Sequence, residues 1–235
     1  MATSSAARSS DHEYRFERKF LVENLTPHEI QALVRLHPAL FSPIHSRRFI
    51  NNIYFDTPDD RALTDGLEGS GKRVKMRIRW YGDLQGKHDA TLEFKIKRGL
   101  VGRKESIELG RLDVGPGITR EALATKMASV APALPAPLSE LLATSRPVLV
   151  NRYRRSYYRS GDGRFRLTLD DKLQFFPTVA GRAHLVGPVH DHHSAIVELK
   201  YATEHDRDAN RITSAFPFRL TKSSKFVSGL QRLTF

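Results

Sequence analysis

The stretch RVKMRIRWYG, residues 73–82, decides how this chain is read. Taken with a period of two, Val74, Met76, Ile78 and Trp80 form one face, and Arg73, Lys75, Arg77 and Arg79 form the other. Side chains of a β-strand alternate between two faces, so four cations line up on one side. Like charges that close repel, and a face bathed in water would ordinarily mix in Glu, Thr or Ser. The question is what stands opposite them.

The same alternation recurs along the chain. Period-two segments cover 13–22, 49–55, 73–81, 90–97, 103–109, 148–158, 164–170, 172–176 and 195–201, and Asp162-Gly163 supplies a hairpin turn. Charged faces repeat as well. Glu17 and Lys19 oppose Phe16 and Phe20; Glu93, Lys95 and Lys97 oppose Leu92, Phe94 and Ile96. Arg166 and Asp170 oppose Phe165, Leu167 and Leu169, while Glu198 and Lys200 oppose Val197, Leu199 and Tyr201. In 148–158 the phase is ambiguous, because Arg152 and Arg154 are out of step with Arg155.

Helices punctuate the strands. Thr26, Pro27 and Glu29 open one with a capping box. Others are expected near 58–65, 119–129, 138–144, 206–214 and 223–232, with 130–138 as a connector and 177–194 as a long loop. The reading is an α+β fold: a closed antiparallel β-barrel of about eight strands with peripheral helices, in one domain over 13–235. Residues 1–12 are read as a disordered lead, since they lack the apolar core of a signal peptide.

Composition narrows the partners. Lys and Arg total 38 against 26 Asp and Glu, a formal charge of +12, which points to a polyanion. The absence of Cys excludes disulfides and thiolate metal sites. No apolar run approaches the ~20 residues that span a bilayer, so a cytoplasmic location is expected. In a closed barrel the helices need the apolar strand faces, which sends the charged faces inward. A cationic interior needs a counter-ion rich in negative oxygens, and phosphate matches both the Arg fork and the Lys point charge.

In this order, RFERKFLV, IYFDT, KMRIRWYG, LEFKIKRG, GRKES, RYRRSYY, RFRLTLD, VELKY and KSSKF resemble the motifs of the VTC domain. That is the catalytic domain of polyphosphate polymerases in the triphosphate tunnel (CYTH-like) superfamily. The resemblance spans roughly residues 13–230. It implies transfer of the terminal phosphoryl group of ATP, or another triphosphate, to polyphosphate inside a tunnel, with Mn2+ or Mg2+. It places phosphate contacts on Lys19, Arg77, Arg79, Lys95, Lys104, Arg155, Arg166 and Lys225, with Ser224 beside the last, and a metal on Glu198. The face pattern independently selects Lys19, Arg77, Arg79, Lys95 and Arg166, and adds Lys200 beside Glu198. Glu17 is either a second metal ligand or the partner of a cation. Asp170 is read as a strand-end residue bonding the next turn.

Tunnel triphosphatases and related cyclases open with Glu-x-Glu-x-Lys, whereas this chain has Arg15-Phe16-Glu17-Arg18-Lys19, as in the polymerase branch. Eukaryotic members carry an SPX domain and a membrane anchor absent from this stretch, so coupling of synthesis to transport has no support within it, and a separate membrane partner is left open. The alternatives are a hydrolase of the same fold and a non-catalytic polyphosphate- or nucleic-acid-binding module. Nucleic acid is disfavoured, because the aromatics fall mostly opposite the cations. GLEGSGKR, residues 66–73, imitates a Walker A loop, but Arg73 replaces the Mg2+-binding hydroxyl and a strand follows. His184, His190, His192 and His193 lack regular metal-ligand spacing and read as a solvated loop.

Overall fold

A computed structural model describes residues 11–115, 117–179 and 182–234; the expected disordered lead falls largely on residues 1–10, outside the described residues. The strands in chain order are β1 (Asp11–Val22), β2 (Ser42–Asp56), β3 (Lys72–Tyr81), β4 (Gly86–Arg98), β5 (Val101–Val114) and β6 (Gly117–Ile118). Then follow β7 (Arg146–Arg159), β8 (Phe165–Phe176), β9 (Thr178–Val179), β10 (Arg182–His184), β11 (Val189–Asp191) and β12 (Ala195–Ala202). The helices are α1 (Pro27–Arg35), α2 (Arg61–Leu67), α3 (Arg120–Val130), α4 (Ala136–Thr144), α5 (Asp206–Ser214) and α6 (Lys225–Thr234).

Eight strands pair in the order β8-β12-β1-β5-β4-β3-β2-β7, and β7 pairs back onto β8, so the antiparallel sheet closes into a ring. The expected loop over 177–194 instead contains three short strands, of which β11 extends the edge of β8. The two expected strands 164–170 and 172–176 are one strand. A bulge joins them: Lys172 adopts φ 51°, and the β7–β8 register shifts between Arg152 and Arg154. This resolves the phase of β7. Arg155 and Asp170 face each other on the inside, while Arg154 and Asp171 pair on the outside.

Apolar strand faces point outward and are covered by helices. Trp80, Leu92, Phe94 and Ile107 pack with Leu123 and Met127 of α3 and Leu138 and Leu142 of α4. On the other side Phe20, Leu167, Val197 and Leu199 pack with Ile30 and Val34 of α1 and Ala209 of α5. The capping box of α1 forms as the sequence suggests: Thr26 Oγ accepts from the Glu29 amide, and Glu29 accepts from the Thr26 amide. The Walker-like stretch becomes the end of α2, a turn and the start of β3, with no helix after it.

A third cluster lies inside the ring. Leu149, Leu173, Phe175 and Ile196 turn inward at the end where β7 and β12 begin and β8 finishes, and they meet Phe226 of α6. The route of α6 is set by an unfilled strand edge. β1 pairs with β5 at Asp11, Arg15 and Phe16, and beyond that point Leu220 and Thr221 take the edge: Phe20 bridges Leu220, and the Thr221 amide donates to the Lys19 carbonyl. The chain then turns into the ring and α6 closes that end. Gly229 makes the seat possible, since a Cβ there would stand 2.6 Å from Phe175 and 2.8 Å from Leu149. Gly229→Ala is therefore expected to destabilise the fold by about 1–3 kcal/mol, as overpacking does, lowering the midpoint of thermal unfolding. An unchanged midpoint would show that α6 is not seated against these side chains.

Candidate functional site

Cross-strand partners share a face, so register places the charged rows. Glu17 lies opposite Lys200, Lys19 opposite Glu198, Arg77 opposite Glu93, Lys95 opposite Lys104, and Arg155 opposite Asp170. All face the inside of the ring. With α6 packed across part of one end, the interior is a chamber with exposed cationic positions at its rim, among them Arg166 on β8 beside Lys200 on β12.

Three ion-pair networks organise the chamber. In the first, Glu93 holds Arg77 at 2.7 Å, Lys104 at 3.2 Å and Arg79 at 3.6 Å. Arg77 also donates to the Tyr54 hydroxyl, and Arg79 donates to Asn52 Oδ1 and the Tyr153 hydroxyl. A guanidinium has five N–H donors, so both retain unused ones. In the second, Glu17 and Glu198 stand together among lysines. Glu17 meets Lys95 at 2.5 Å, Lys200 at 3.9 Å and Lys19 at 4.0 Å; Glu198 meets Lys200 at 2.9 Å and Lys19 at 3.7 Å. In the third, Asp170 takes both Nε and Nη2 of Arg155 and the ammonium of Lys225. Asp170 is thus a fully buried hub, not the turn-bonding strand end expected from the sequence.

Four carboxylates are shared among eight cations, and the electrostatics follow from that ratio. Burial pushes the Glu17 carboxyl up, as does the charge of Glu198, but Lys95, Lys200 and Lys19 overcome both and hold it at about 2. Burial likewise opposes ionisation of Glu198 and Glu93. Lys200, Lys19 and Lys95 hold the first well below the carboxylate range, and Arg79, Arg77 and Lys104 hold down the second. The lysines of this network fare differently: Glu198 and Glu17 hold Lys200 and Lys19 above the ordinary lysine value. Burial takes Lys95 down to about 8 despite Glu17, which it divides with two other ammonium groups. Tyr153 falls to about 8, because Arg155 and Arg79 outweigh its burial.

Of the residues singled out from the sequence, Glu17, Lys19, Arg77, Arg79, Lys95, Lys104, Arg155, Glu198 and Lys200 converge on the chamber. Ser224 and Lys225 reach it at the N-terminal end of α6. Arg166 lies on the same inner face but is exposed at the mouth, with no ion pair among the described residues.

Lys75 is a chamber residue that the site assignment missed. It sat in the opening stretch on the face of Arg77 and Arg79, so the signal was present. Its ammonium donates to Ser224 Oγ at 2.8 Å and lies 5.2 Å from the centre of the Phe226 ring, without a carboxylate partner among the described residues. Burial, then the charges of Arg73, Lys19 and Lys95, push it down to about 7.

No group of three His, Asp or Glu able to hold a metal occurs among the described residues. The adjacent carboxylates of Glu17 and Glu198 still suit a divalent ion of the Mg2+ type, which takes one or two carboxylates together with substrate phosphates.

The VTC domain family matches residues 14–234. The chain belongs to the VTC domain family. No curated protein matches this VTC domain in sequence. Among solved structures, a candidate adenylate cyclase from Bacillus halodurans has 14% identity and a TM-score of 0.50, over 92% of this chain and 96% of that one. A second, from Vibrio parahaemolyticus, has 13% identity and a TM-score of 0.48, over 92% and 98%. A candidate adenylyl cyclase from Hippeastrum, described as having a dominant triphosphatase activity, has 17% identity and a TM-score of 0.46, over 94% and 95%. The Bacillus halodurans likeness is one of fold.

The Lys75 environment has a measurable sign. Its folded value of about 7 lies below the 10.5 of the unfolded chain, so the cost of burying its charge is complete below pH 7 and fades as pH rises towards 10.5. Lys75→Met is expected to be more stable than the parent near pH 6 and to lose that advantage near pH 10, in urea unfolding at both values. A constant difference between the two would contradict the assignment.

Proposed function

We propose that this VTC domain is a polyphosphate polymerase that moves the terminal phosphoryl group of ATP onto the end of a phosphate chain in the chamber. The observation that carries the reading is the preorganised excess of cations around one enclosed space. Phosphoryl transfer asks a protein for positioning and for stabilisation of charge on non-bridging oxygens more than for covalent chemistry. The acids of the chamber serve the first demand. Glu93, Asp170, Glu17 and Glu198 fix the cations in place while leaving unsatisfied donors for an incoming anion.

Lys19, Arg77, Arg79, Lys95, Arg155 and Arg166 would grip the reacting phosphates. Lys104, Lys200, Ser224 and Lys225 would hold the neighbouring ones, with the positive end of α6 directed at them. In the transfer, the bond between the terminal phosphorus and its bridging oxygen breaks and ADP leaves. The new bond forms to a terminal oxygen of the chain, which is already ionised, so no general base is needed. A divalent ion, Mn2+ or Mg2+, held by Glu198 and Glu17 together with the phosphates, would neutralise charge on the non-bridging oxygens. Arg15 in place of the first glutamate of the tunnel triphosphatases supports synthesis over hydrolysis. Among the described residues no helix is long and apolar enough to cross a membrane.

The test is incubation of the purified protein with ATP and Mn2+. Polymer is expected, and Arg77→Ala or Lys95→Ala should lower its rate at least about tenfold with the fold retained by circular dichroism. Free phosphate as the sole product would replace the polymerase reading with a hydrolase, and neither product would leave a binding module.

A further inference from the structure

The mouth of the chamber carries cations that the networks inside do not use. On the side formed by β2, β7, β8 and β12, Arg159 lies directly opposite Arg166, and Arg166 directly opposite Lys200, so two such cations stand abreast of Lys200, which is itself tied to the acids inside. Arg159 and Arg166 are exposed, and neither has an ion pair among the described residues. Like charges directly opposite across a sheet destabilise it, so the row is not there for the strands' own benefit.

Arg48 stands on the next strand, opposite Arg155, and the two are treated differently. Arg155 is buried and tied to Asp170, whereas Arg48 is exposed and has no carboxylate partner among the described residues. Aromatic rings hold Arg48 instead. Its guanidinium carbon lies 4.1 Å from the centre of the Tyr81 ring and 5.2 Å from that of Tyr157, and its Nε donates to the Tyr157 hydroxyl at 3.0 Å. Such a sandwich fixes the plane of the fork without neutralising it, and leaves the four N–H groups on Nη1 and Nη2 for an anion. With the guanidinium against both rings, the arrangement favours phosphate oxygens over a stacked base. Position matters too. Arg159 is four residues beyond Arg155, about 13 Å along an extended strand, so it serves something that continues past the chamber.

We propose that Arg48 and Arg159, with Arg166 beside Arg159, form an outer subsite for the continuing phosphates of a long polyphosphate. A triphosphate occupies the chamber alone, while a longer chain also engages the mouth and gains affinity there. The proposal rests on the reading of the chamber as a phosphate site.

The experiment compares wild type, Arg48→Gln/Arg159→Gln and Lys95→Ala for binding of tripolyphosphate, long-chain polyphosphate and a single-stranded oligonucleotide, across a salt series. The double variant is expected to bind tripolyphosphate within about twofold of wild type. It should bind the long chain at least about tenfold more weakly, with a salt slope shallower by about two. Equal loss for both phosphates, or loss for neither, would overturn the outer subsite. So would a selective loss of oligonucleotide binding, which would make the mouth a nucleic-acid surface. Tripolyphosphate binding that is absent in wild type, or indifferent to Lys95→Ala, would instead remove the chamber reading beneath the proposal.

Discussion

The structure depends on the repulsion among cations that a closed ring turns toward one another. Two like charges about 4 Å apart cost on the order of 4 kcal/mol at the effective dielectric of a protein near its surface. An open sheet would let water screen them. Closing the sheet removes that screening, and the chain answers with Glu17, Glu93, Asp170 and Glu198, each shared by two or three cations. The compensation is partial. What it secures is geometry: the guanidinium and ammonium groups inside the chamber are held by a carboxylate, a tyrosine hydroxyl or a serine, with donors to spare.

The same economy explains why one end of the ring is shut. Inward residues at that end are apolar, and α6 meets them with Phe226 and the bare backbone of Gly229. The segment that carries α6 completes the edge of β1 where β5 has left it, so closure of the sheet and closure of the chamber are linked. Lys75 lies at that junction, its charge weakened by burial and its ammonium on Ser224.

Much of this was legible in the sequence because a period of two survives any amount of twist. The face holding Arg77 and Arg79, and those holding Lys95 and Glu198, were assigned without ambiguity, and an inward charged face followed from the helices' need for the apolar one. The bulge was not legible, since nothing marks Lys172 as a residue with positive φ, and without it β8 reads as two strands and β7 loses its phase. Asp170 was misjudged for the same reason, being placed at a strand end when it lies in mid-strand. The amphipathic pattern of 223–232 announced a helix but not that it would enter the ring, which depends on a distant strand edge. The outer part of β2, residues 42–48, shows no alternation, so the seat of Arg48 between two tyrosines was hidden.

The most direct measurement is a crystal structure of the protein soaked with tripolyphosphate at moderate ionic strength. The account expects the anion inside the ring, its oxygens within hydrogen-bonding distance of Arg77, Arg79, Lys95 and Arg155, with α6 still in place. Phosphate found only on the outer surface, with the inner cations still paired solely to Glu17, Glu93, Asp170 and Glu198, would contradict it.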